Sequence, residues 1–191
     1  GNLIDGDQIM AACGLDLLQK GKLSGETVVA TVMSNLGLHR FVKEHGMKLE
    51  CTNVGDRNVL ERMLAKGYAI GGEQSGHMIF LEHATTGDGE LTALQMLALL
   101  KESGKKASEV FGACPRYPQV LINIPVANND VKKAVMASAE LAQAVAGEEE
   151  KLGDEGRVLV RPSGTEALMR VMVEAKTQQT AQEAAQRLAD L

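Results

Sequence analysis

The chain has 191 residues, of which 45% are apolar and 3% aromatic, and its formal net charge is −5. This size suits one large domain or two small ones built around an aliphatic core. The sequence has no basic stripe, no apolar run long enough to span a membrane and no basic-then-apolar leader, so we expect a cytoplasmic protein that binds neither nucleic acid nor membranes.

The first hundred residues alternate strands with helices. The apolar run ETVVATVMS, residues 26–34, predicts a strand buried on both faces, and Asn35 can cap the helix that follows it. Further elements are predicted as a strand over 47–51, a helix over 56–67, short strands over 68–70 and 77–81, and a deeply packed helix beginning at Asp88. This order predicts an α/β domain over residues 1–104, with residues 1–12 as the tail of a preceding domain or a hinge.

The composition changes at the segment ESGKKASEVFGACPRYP, which is rich in Gly, Pro and charge, and we place a linker over 105–118. A second, small α+β domain is predicted over 119–191. Its elements are predicted as a strand over 119–126, one helix carrying Val131, Leu141 and Val145 with Ser138 on its apolar face, an acidic loop over 147–156, strands over 157–160 and 168–175, and a helix from Thr177.

Cys13, Cys51 and Cys114 are scattered along the chain and lack the short spacing of a zinc site. We expect three free thiols in a reducing compartment.

The segment RPSGTEALMR, residues 161–170, connects the last two predicted strands. A bare hairpin turn would need only Gly164, with a positive φ. A phosphate site would in addition use the hydroxyls of Ser163 and Thr165, backbone N–H groups around the glycine, and the guanidinium forks of Arg161 and Arg170. From the spacing alone, both interpretations remain open.

The segment GGEQSGH, residues 71–77, connects two short predicted strands. Glu73 and Ser75 are two residues apart and point the same way in an extended loop. A carboxylate can accept hydrogen bonds from two neighbouring sugar hydroxyls, Ser75 can add a third contact, and His77 is titratable. The alternative is a Gly-rich turn with an exposed Glu and a structural His77.

GGEQSGH, followed by TTGDG and later by RPSGTE, resembles the α-D-phosphohexomutase superfamily. GNLIDGDQIM, TVMSNLG and NVGDRNVLERM extend the resemblance over essentially the whole chain. The form with Gln74 is closer to the bacterial branch that interconverts glucosamine 6-phosphate and glucosamine 1-phosphate than to the phosphomannomutase/phosphoglucomutase branch. One departure is Ala167, where relatives often have Pro.

The resemblance implies the third and fourth of four domains, the fourth being similar to the TATA-binding-protein fold. It implies a cycle in which a phosphoserine donates its phosphoryl group, a bisphosphorylated sugar turns around, and the serine is rephosphorylated. The implied sugar-binding residues are Glu73, Ser75, Gly76 and His77, the last also as an auxiliary catalytic group. The implied phosphate-binding residues are Arg161, Ser163, Gly164, Thr165 and Arg170.

The superfamily's serine motif and its Asp-x-Asp-x-Asp-Arg loop for Mg²⁺ have no complete match in this chain. Asp5 and Asp7 lack the third Asp and the Arg, so we interpret them as a turn and expect no metal ligand here. The resemblance therefore implies the C-terminal half of a cytoplasmic Mg²⁺ enzyme of cell-wall precursor synthesis, inert without its N-terminal domains.

The resemblance also allows a homodimer of the longer protein. Two alternatives are retained. The first is the same fold acting on glucose or mannose phosphates, and the second is a phosphosugar-binding module without chemistry.

Overall fold

The computed structural model describes all 191 residues, which divide into two compact units, 1–116 and 117–191. The boundary lies inside the segment 105–118 that we expect to be a linker. Most of that segment nevertheless folds with the first unit, because it contains two apolar side chains, Phe111 and Cys114, that are buried there. No helix in the chain combines the length and the apolar character that crossing a membrane requires.

The first unit is a four-stranded sheet, in the order β2-β1-β3-β4, with helices on both faces. Strand β1 pairs in parallel with β2 and β3, and β4 runs antiparallel to β3. The strands are β1 (Thr27–Thr31), β2 (Lys48–Thr52), β3 (Ile70–Gly72) and β4 (Met78–Phe80). The helices are α1 (Gly6–Gln19), α2 (Leu36–Glu44), α3 (Asp56–Lys66), α4 (Gly89–Ser103) and α5 (Ala107–Val110).

Strand β1 is buried along its whole length, which confirms the interpretation of its apolar run. Val28 and Ala30 belong to the larger apolar core, and Val29 belongs to the smaller core on the other face of the sheet. Alternating residues of one strand thus hold two helical layers together, as in other α/β sheets covered on both faces.

Helix α1 is the element that the sequence pattern does not reveal, since its first residues fall in the segment 1–12 that we expect to be a tail or hinge. Ile9, Met10 and Ala11 are buried in the larger core. Apolar side chains lie all round this helix rather than in one stripe, so the amphipathic signal that identifies a surface helix is weak.

Helix α4 begins at the predicted cap, Asp88, whose carboxylate accepts a hydrogen bond from the N–H of Leu91 at 2.9 Å. The expectation of deep packing is wrong. Met96 and Leu99 pack on the core, but the side chains of Leu94 and Leu97 are 64% and 61% exposed. The sheet covers one side of the helix, and its other side faces outward.

The second unit is a three-stranded antiparallel sheet, in the order β5-β7-β6, covered by helices. Its elements are β5 (Gln119–Pro125), α6 (Asn129–Met136), α7 (Ala139–Leu152), β6 (Arg157–Pro162), β7 (Leu168–Glu174) and α8 (Gln178–Ala189). Strand β7 is central, and four small or apolar residues of α8 pack against the sheet: Ala181, Ala184, Ala185 and Leu188.

Two predictions in this unit are wrong. The single helix expected after β5 is broken in two, because Ser138 is the N-cap of α7 and its hydroxyl accepts the N–H of Leu141. The acidic loop expected over 147–156 is helical as far as Leu152. Glu148 explains the second error, since it lies buried against Arg187 at 2.8 and 2.9 Å and against Lys151 at 2.7 Å.

Candidate functional site

The loop 73–77, which we call the sugar loop, connects β3 to β4 in the first unit. The N–H of Glu73 donates to the carbonyl of His77 at 3.0 Å, and the N–H of Gly76 donates to the carbonyl of Glu73 at 2.9 Å. Gly76 has φ +101°, a conformation that residues with a Cβ rarely adopt. These features make the loop a tight turn with a defined backbone.

The carboxylate of Glu73 is half-buried and is held by the backbone. Its Oε1 atom accepts the N–H of Gly55 at 3.0 Å, at the start of α3. Ser75 is exposed, and its hydroxyl has no partner within the chain. One carboxylate oxygen is therefore anchored, while the second oxygen and the neighbouring hydroxyl remain for a ligand, the arrangement that recognition of a sugar diol requires.

Gln74 ties the sugar loop to the beginning of α1. Its Nε2 donates to Oδ2 of Asp7 at 3.1 Å, and its carbonyl accepts the N–H of Gly6 at 3.0 Å. A Cβ on Gly6 would lie 2.0 Å from the carbonyl oxygen of Glu73, so only glycine permits this approach. The sequence pattern marks Gln74 only as a branch feature, and its structural partner Asp7 is 67 positions away.

Asp7 is a buried carboxylate, 2% exposed, beneath the sugar loop. Burial raises its pKa to about 6, against the lowering effects of hydrogen bonds from the N–H of Asn35, at 2.7 Å, from Ser34 and from Gln74. Near neutral pH it is an acceptor that orients the residues around it.

The imidazole of His77 lies at the edge of this loop. Its Nε2 is 3.5 Å from Oδ2 of Asp56, and its ring packs so closely on Gly87 that a Cβ there would lie 2.2 Å from it. Asp56 is the first residue of α3, directly after the N-cap Gly55. Its carboxylate faces His77, a pairing that no sequence spacing indicates.

A cleft of about 470 Å³ opens beside the sugar loop within the first unit. It brings together Glu73, Ser75 and Gly76 of the predicted sugar residues, whereas His77 is not among the residues that line it. The other lining residues are Leu3, Ile4, Asp5, Gly6, Thr31, Met33, Val54, Gln74 and Arg116. Arg116 lies in the segment that we expect to be a linker. It adds to the cleft a guanidinium group with a 60% exposed side chain, which the sequence pattern does not single out.

Asp5 and Asp7 do not fit a metal site. Asp5 is the N-cap of α1, where its Oδ1 accepts the N–H of Gln8 at 3.1 Å. Asp7 is engaged with Asn35 and Gln74. No group of three or more His, Cys, Asp or Glu side chains is arranged to hold a metal ion. The two aspartates therefore build the start of a helix and not the turn we expect from their spacing.

The segment 163–167, which we call the phosphate loop, connects β6 to β7 in the second unit. Arg161 and Arg170 stand directly opposite each other at its base. Like charges in opposed positions of a sheet are destabilising. Burial and then the neighbouring charge of Arg170 lower the pKa of Arg161. Arg170 forms an ion pair with Glu166 at 2.7 Å, but no carboxylate lies within ion-pair distance of Arg161.

Backbone N–H groups of the phosphate loop are open. The amides of Gly164 and Thr165 have no acceptor within the chain. Ser163 is 4% exposed, and its hydroxyl oxygen accepts the N–H of Glu166 at 3.2 Å, which leaves its own proton to donate. Unused amides beside two guanidinium groups are the donors that an anion requires.

Gly164 differs from the expectation for a hairpin glycine. Its φ is not positive, and a Cβ built on it meets no atom within 4 Å. Neither backbone conformation nor packing within the chain requires glycine here. The open space beside Gly164 would let a ligand approach the backbone closely.

Residues 5–117 match the model of the phosphoglucomutase/phosphomannomutase α/β/α domain III, and residues 121–191 match the model of that family's C-terminal domain. The chain belongs to this family. The resemblance read from the sequence motifs, and the α/β and α+β fold classes, are thereby confirmed.

Curated relatives carry the name phosphoglucosamine mutase. The protein of Thermoanaerobacter sp. (strain X514) is 53% identical over all 191 residues, which are 42% of its length. That of Ruminiclostridium cellulolyticum is 58% identical over 177 residues, which are 92% of this chain and 39% of the relative. The chain thus spans less than half the length of the curated relatives it matches.

Solved structures share the fold. An Aspergillus fumigatus N-acetylphosphoglucosamine mutase superposes with a TM-score of 0.83 at 21% identity, over 99% of this chain and 43% of that one. A phosphoglucomutase/phosphomannomutase family protein from Burkholderia thailandensis gives a TM-score of 0.72 at 19% identity, over 100% of this chain and 43% of that one. These neighbours also extend well beyond the region that this chain matches.

Proposed function

We propose that this chain is the phosphosugar-recognition part of a phosphoglucosamine mutase, which interconverts glucosamine 6-phosphate and glucosamine 1-phosphate. The observation that carries the proposal is the opposed pair Arg161 and Arg170 beside the open amides of the phosphate loop. The name shared by relatives that are more than half identical supports the amino sugar as substrate.

Each loop by itself suits one part of a phosphosugar. The phosphate loop would hold the phosphate that is not reacting, and Glu73 with Ser75 would hold the ring hydroxyls. Phosphoryl transfer depends on positioning and on charge neutralisation, and both loops supply positioning. The phosphoserine that donates the phosphoryl group would come from the additional domains that the relatives carry.

A solved A. fumigatus N-acetylphosphoglucosamine mutase binds GlcNAc-6P and magnesium. We propose that the longer protein here also uses Mg²⁺, which when bound neutralises charge on the transferring phosphoryl group. Because Asp5 and Asp7 do not fit as ligands, we assign the metal to residues outside this chain. Cys13, Cys51 and Cys114 form no disulfide, which suits a reducing compartment, and we propose the cytoplasm.

Glucose and mannose phosphates are the competing substrates, because the family models are named for phosphoglucomutase and phosphomannomutase. A chimera separates them: this chain replaces the matching segment of the Thermoanaerobacter protein. We expect turnover of glucosamine 6-phosphate that exceeds turnover of both hexose phosphates. Equal or faster turnover of a hexose phosphate by the chimera would assign the chain to another branch.

The 191-residue chain alone serves as the control for the chimera. It should bind glucosamine 6-phosphate in calorimetry but convert none of it at any Mg²⁺ concentration. Binding without turnover is expected because the chain lacks the superfamily's serine motif. Glucosamine 1-phosphate formed by the purified chain would place a catalytic centre within these residues. It would contradict the proposal that this chain only binds the substrate.

A further inference from the structure

Lys132 is a lysine of α6 that lies against the phosphate loop. The residue is 7% exposed, unlike its neighbour Lys133, whose side chain is 82% exposed. Its Nζ atom donates to the carbonyl oxygens of Ser163 at 2.8 Å and of Glu166 at 2.5 Å. An ammonium group buried to this degree requires such partners, since burying a charge without hydrogen bonds is costly.

The two contacts determine which way the loop's peptide groups face. In a trans peptide the C=O and the following N–H point in opposite directions, and the chain contains no cis peptide. The carbonyl of Ser163 points to Lys132, so the N–H of Gly164 points away from it. The carbonyl of Glu166 does the same, so the N–H of Ala167 also points away. Neither amide has an acceptor within the chain.

The charge of Lys132 is not neutralised by a carboxylate. No Asp or Glu lies within ion-pair distance of its Nζ, and its acceptors are neutral carbonyls. Lys133, by contrast, lies 3.9 Å from the carboxylate of Asp130. A buried cation behind the loop adds to the positive potential of Arg161 and Arg170 at its base.

We infer that Lys132 is the positioning residue of the phosphate loop: it pulls two carbonyls inward so that the amides of Gly164 and Ala167 face a bound phosphate. The inference rests on the proposed function, since it presumes that this loop binds phosphate. Lys132 itself does not touch the ligand in this scheme; it acts through the peptide groups.

Lys132→Met tests the inference, with Lys133→Met as the matched control that removes the same charge one position away. Calorimetry of the 191-residue chain with inorganic phosphate and with glucosamine 6-phosphate is the measurement. We expect Lys132→Met to bind both at least tenfold more weakly and Lys133→Met to bind them within twofold of the wild type. Lys132→Arg, which keeps charge and donors, should recover most of the loss.

Unchanged affinity of a folded Lys132→Met chain, with only a lower melting temperature, would make the lysine merely structural and overturn the inference. If the methionine variant does not fold, Lys132→Gln replaces it, with the same expected loss and the same contradicting result. Wild-type chain that binds neither phosphate nor glucosamine 6-phosphate would overturn the proposed function together with the inference. Binding by wild type and equal binding by the variant would overturn the inference alone.

Discussion

The sugar loop and the phosphate loop are both short connections between antiparallel strands, but they differ in how many of their charged and polar groups have partners within the chain. In the sugar loop, the carboxylate of Glu73 is anchored by the N–H of Gly55, and Gln74 is anchored by Asp7. In the phosphate loop, Arg161 and Arg170 face each other, and adjacent amides are unused. In the sugar loop the chain anchors one oxygen of Glu73 and leaves the other oxygen and the Ser75 hydroxyl open. The phosphate loop retains unused donors and positive charge.

The difference follows from the two ligands we propose. A neutral hydroxyl offers a weak interaction, so its acceptor must be held in place before binding. A phosphate brings its own negative charge, so donors and cations can remain unpaired until it arrives. A loop whose acceptor is anchored by the chain and a loop whose donors remain unpaired can therefore both be binding sites.

Arg161→Met should give the largest effect on ligand binding. The substitution keeps an unbranched apolar stem but removes a guanidinium fork that can form two charge-assisted bonds. At ~1.5–3 kcal/mol for hydrogen bonds to charged groups, phosphate affinity should fall roughly 10- to 150-fold. The free energy of unfolding should rise by about 0.2–1 kcal/mol, because a like-charge pair is relieved. Calorimetry and urea unfolding measure the two quantities, and a loss of stability equal to the loss of affinity would contradict the account.

Asp7→Asn should change how the stability of the first unit depends on pH. Because the folded pKa of Asp7 is raised from 3.8 to about 6, its protonated form stabilises the fold below about pH 4, and this contribution disappears as the pH rises through 6. At about 1.4 kcal/mol per pKa unit, the wild type should lose ~3 kcal/mol over this interval relative to the asparagine variant. Urea unfolding of both proteins at a series of pH values measures this difference in the free energy of unfolding.

Glu148→Gln in the second unit is the control, because Glu148 should change stability with pH in the direction opposite to Asp7. Hydrogen bonds from Arg187 lower the pKa of Glu148 to about 2, so its contribution is present above its ordinary value of 4.5 and is lost as the pH falls towards 2. Parallel pH dependences of the two variants would refute both assignments.

Glu73→Gln should reduce sugar recognition while leaving the fold intact. Glutamine Oε1 can still accept the N–H of Gly55, but the charge that strengthens hydrogen bonds from ring hydroxyls is lost. In the chimera with the Thermoanaerobacter protein, kcat/KM should fall tenfold or more, which corresponds to a loss of about 1.5–3 kcal/mol of transition-state stabilisation. A decrease of less than about threefold, well below that range, would show that Glu73 does not hold a hydroxyl.

Alanine at two glycines should give the smallest effects and distinguish the loops. Gly76→Ala should cost about 1–2 kcal/mol of stability, because its φ of +101° suits only glycine. Gly164→Ala should leave stability unchanged or raise it by about 0.4–1 kcal/mol, since φ is not positive and a Cβ has space. Phosphate affinity should fall only in the second variant. Thermal unfolding with and without phosphate measures both, and equal destabilisation would remove the contrast.

The sequence predicts the elements with a strong local signal. The buried run of β1, the caps at Asn35 and Asp88 and the motif residues are all local patterns. The pattern fails at α1, which is apolar on all sides, and at α4, whose outward face has no cover in this chain. A hydrophobicity pattern gives the faces that avoid water but not the surface that will cover them.

The motif residues could be chosen from the sequence, but their supports could not. Asp7 lies beneath Gln74, Gly55 holds Glu73, and Lys132 holds the phosphate loop, all across long separations. The bare-hairpin interpretation requires a positive φ at Gly164, and only the backbone shows that φ is not positive there. The choice of His77 as a sugar residue stays a prediction.

The most direct test of the phosphate loop is an amide titration of the 191-residue chain followed by ¹⁵N–¹H correlation spectra. Glucosamine 6-phosphate and inorganic phosphate should each shift the Gly164 and Thr165 resonances in a saturable way, because their open N–H groups bind the anion. Unphosphorylated glucosamine should leave both resonances in place. Fixed Gly164 and Thr165 resonances while calorimetry detects binding of glucosamine 6-phosphate would contradict the account.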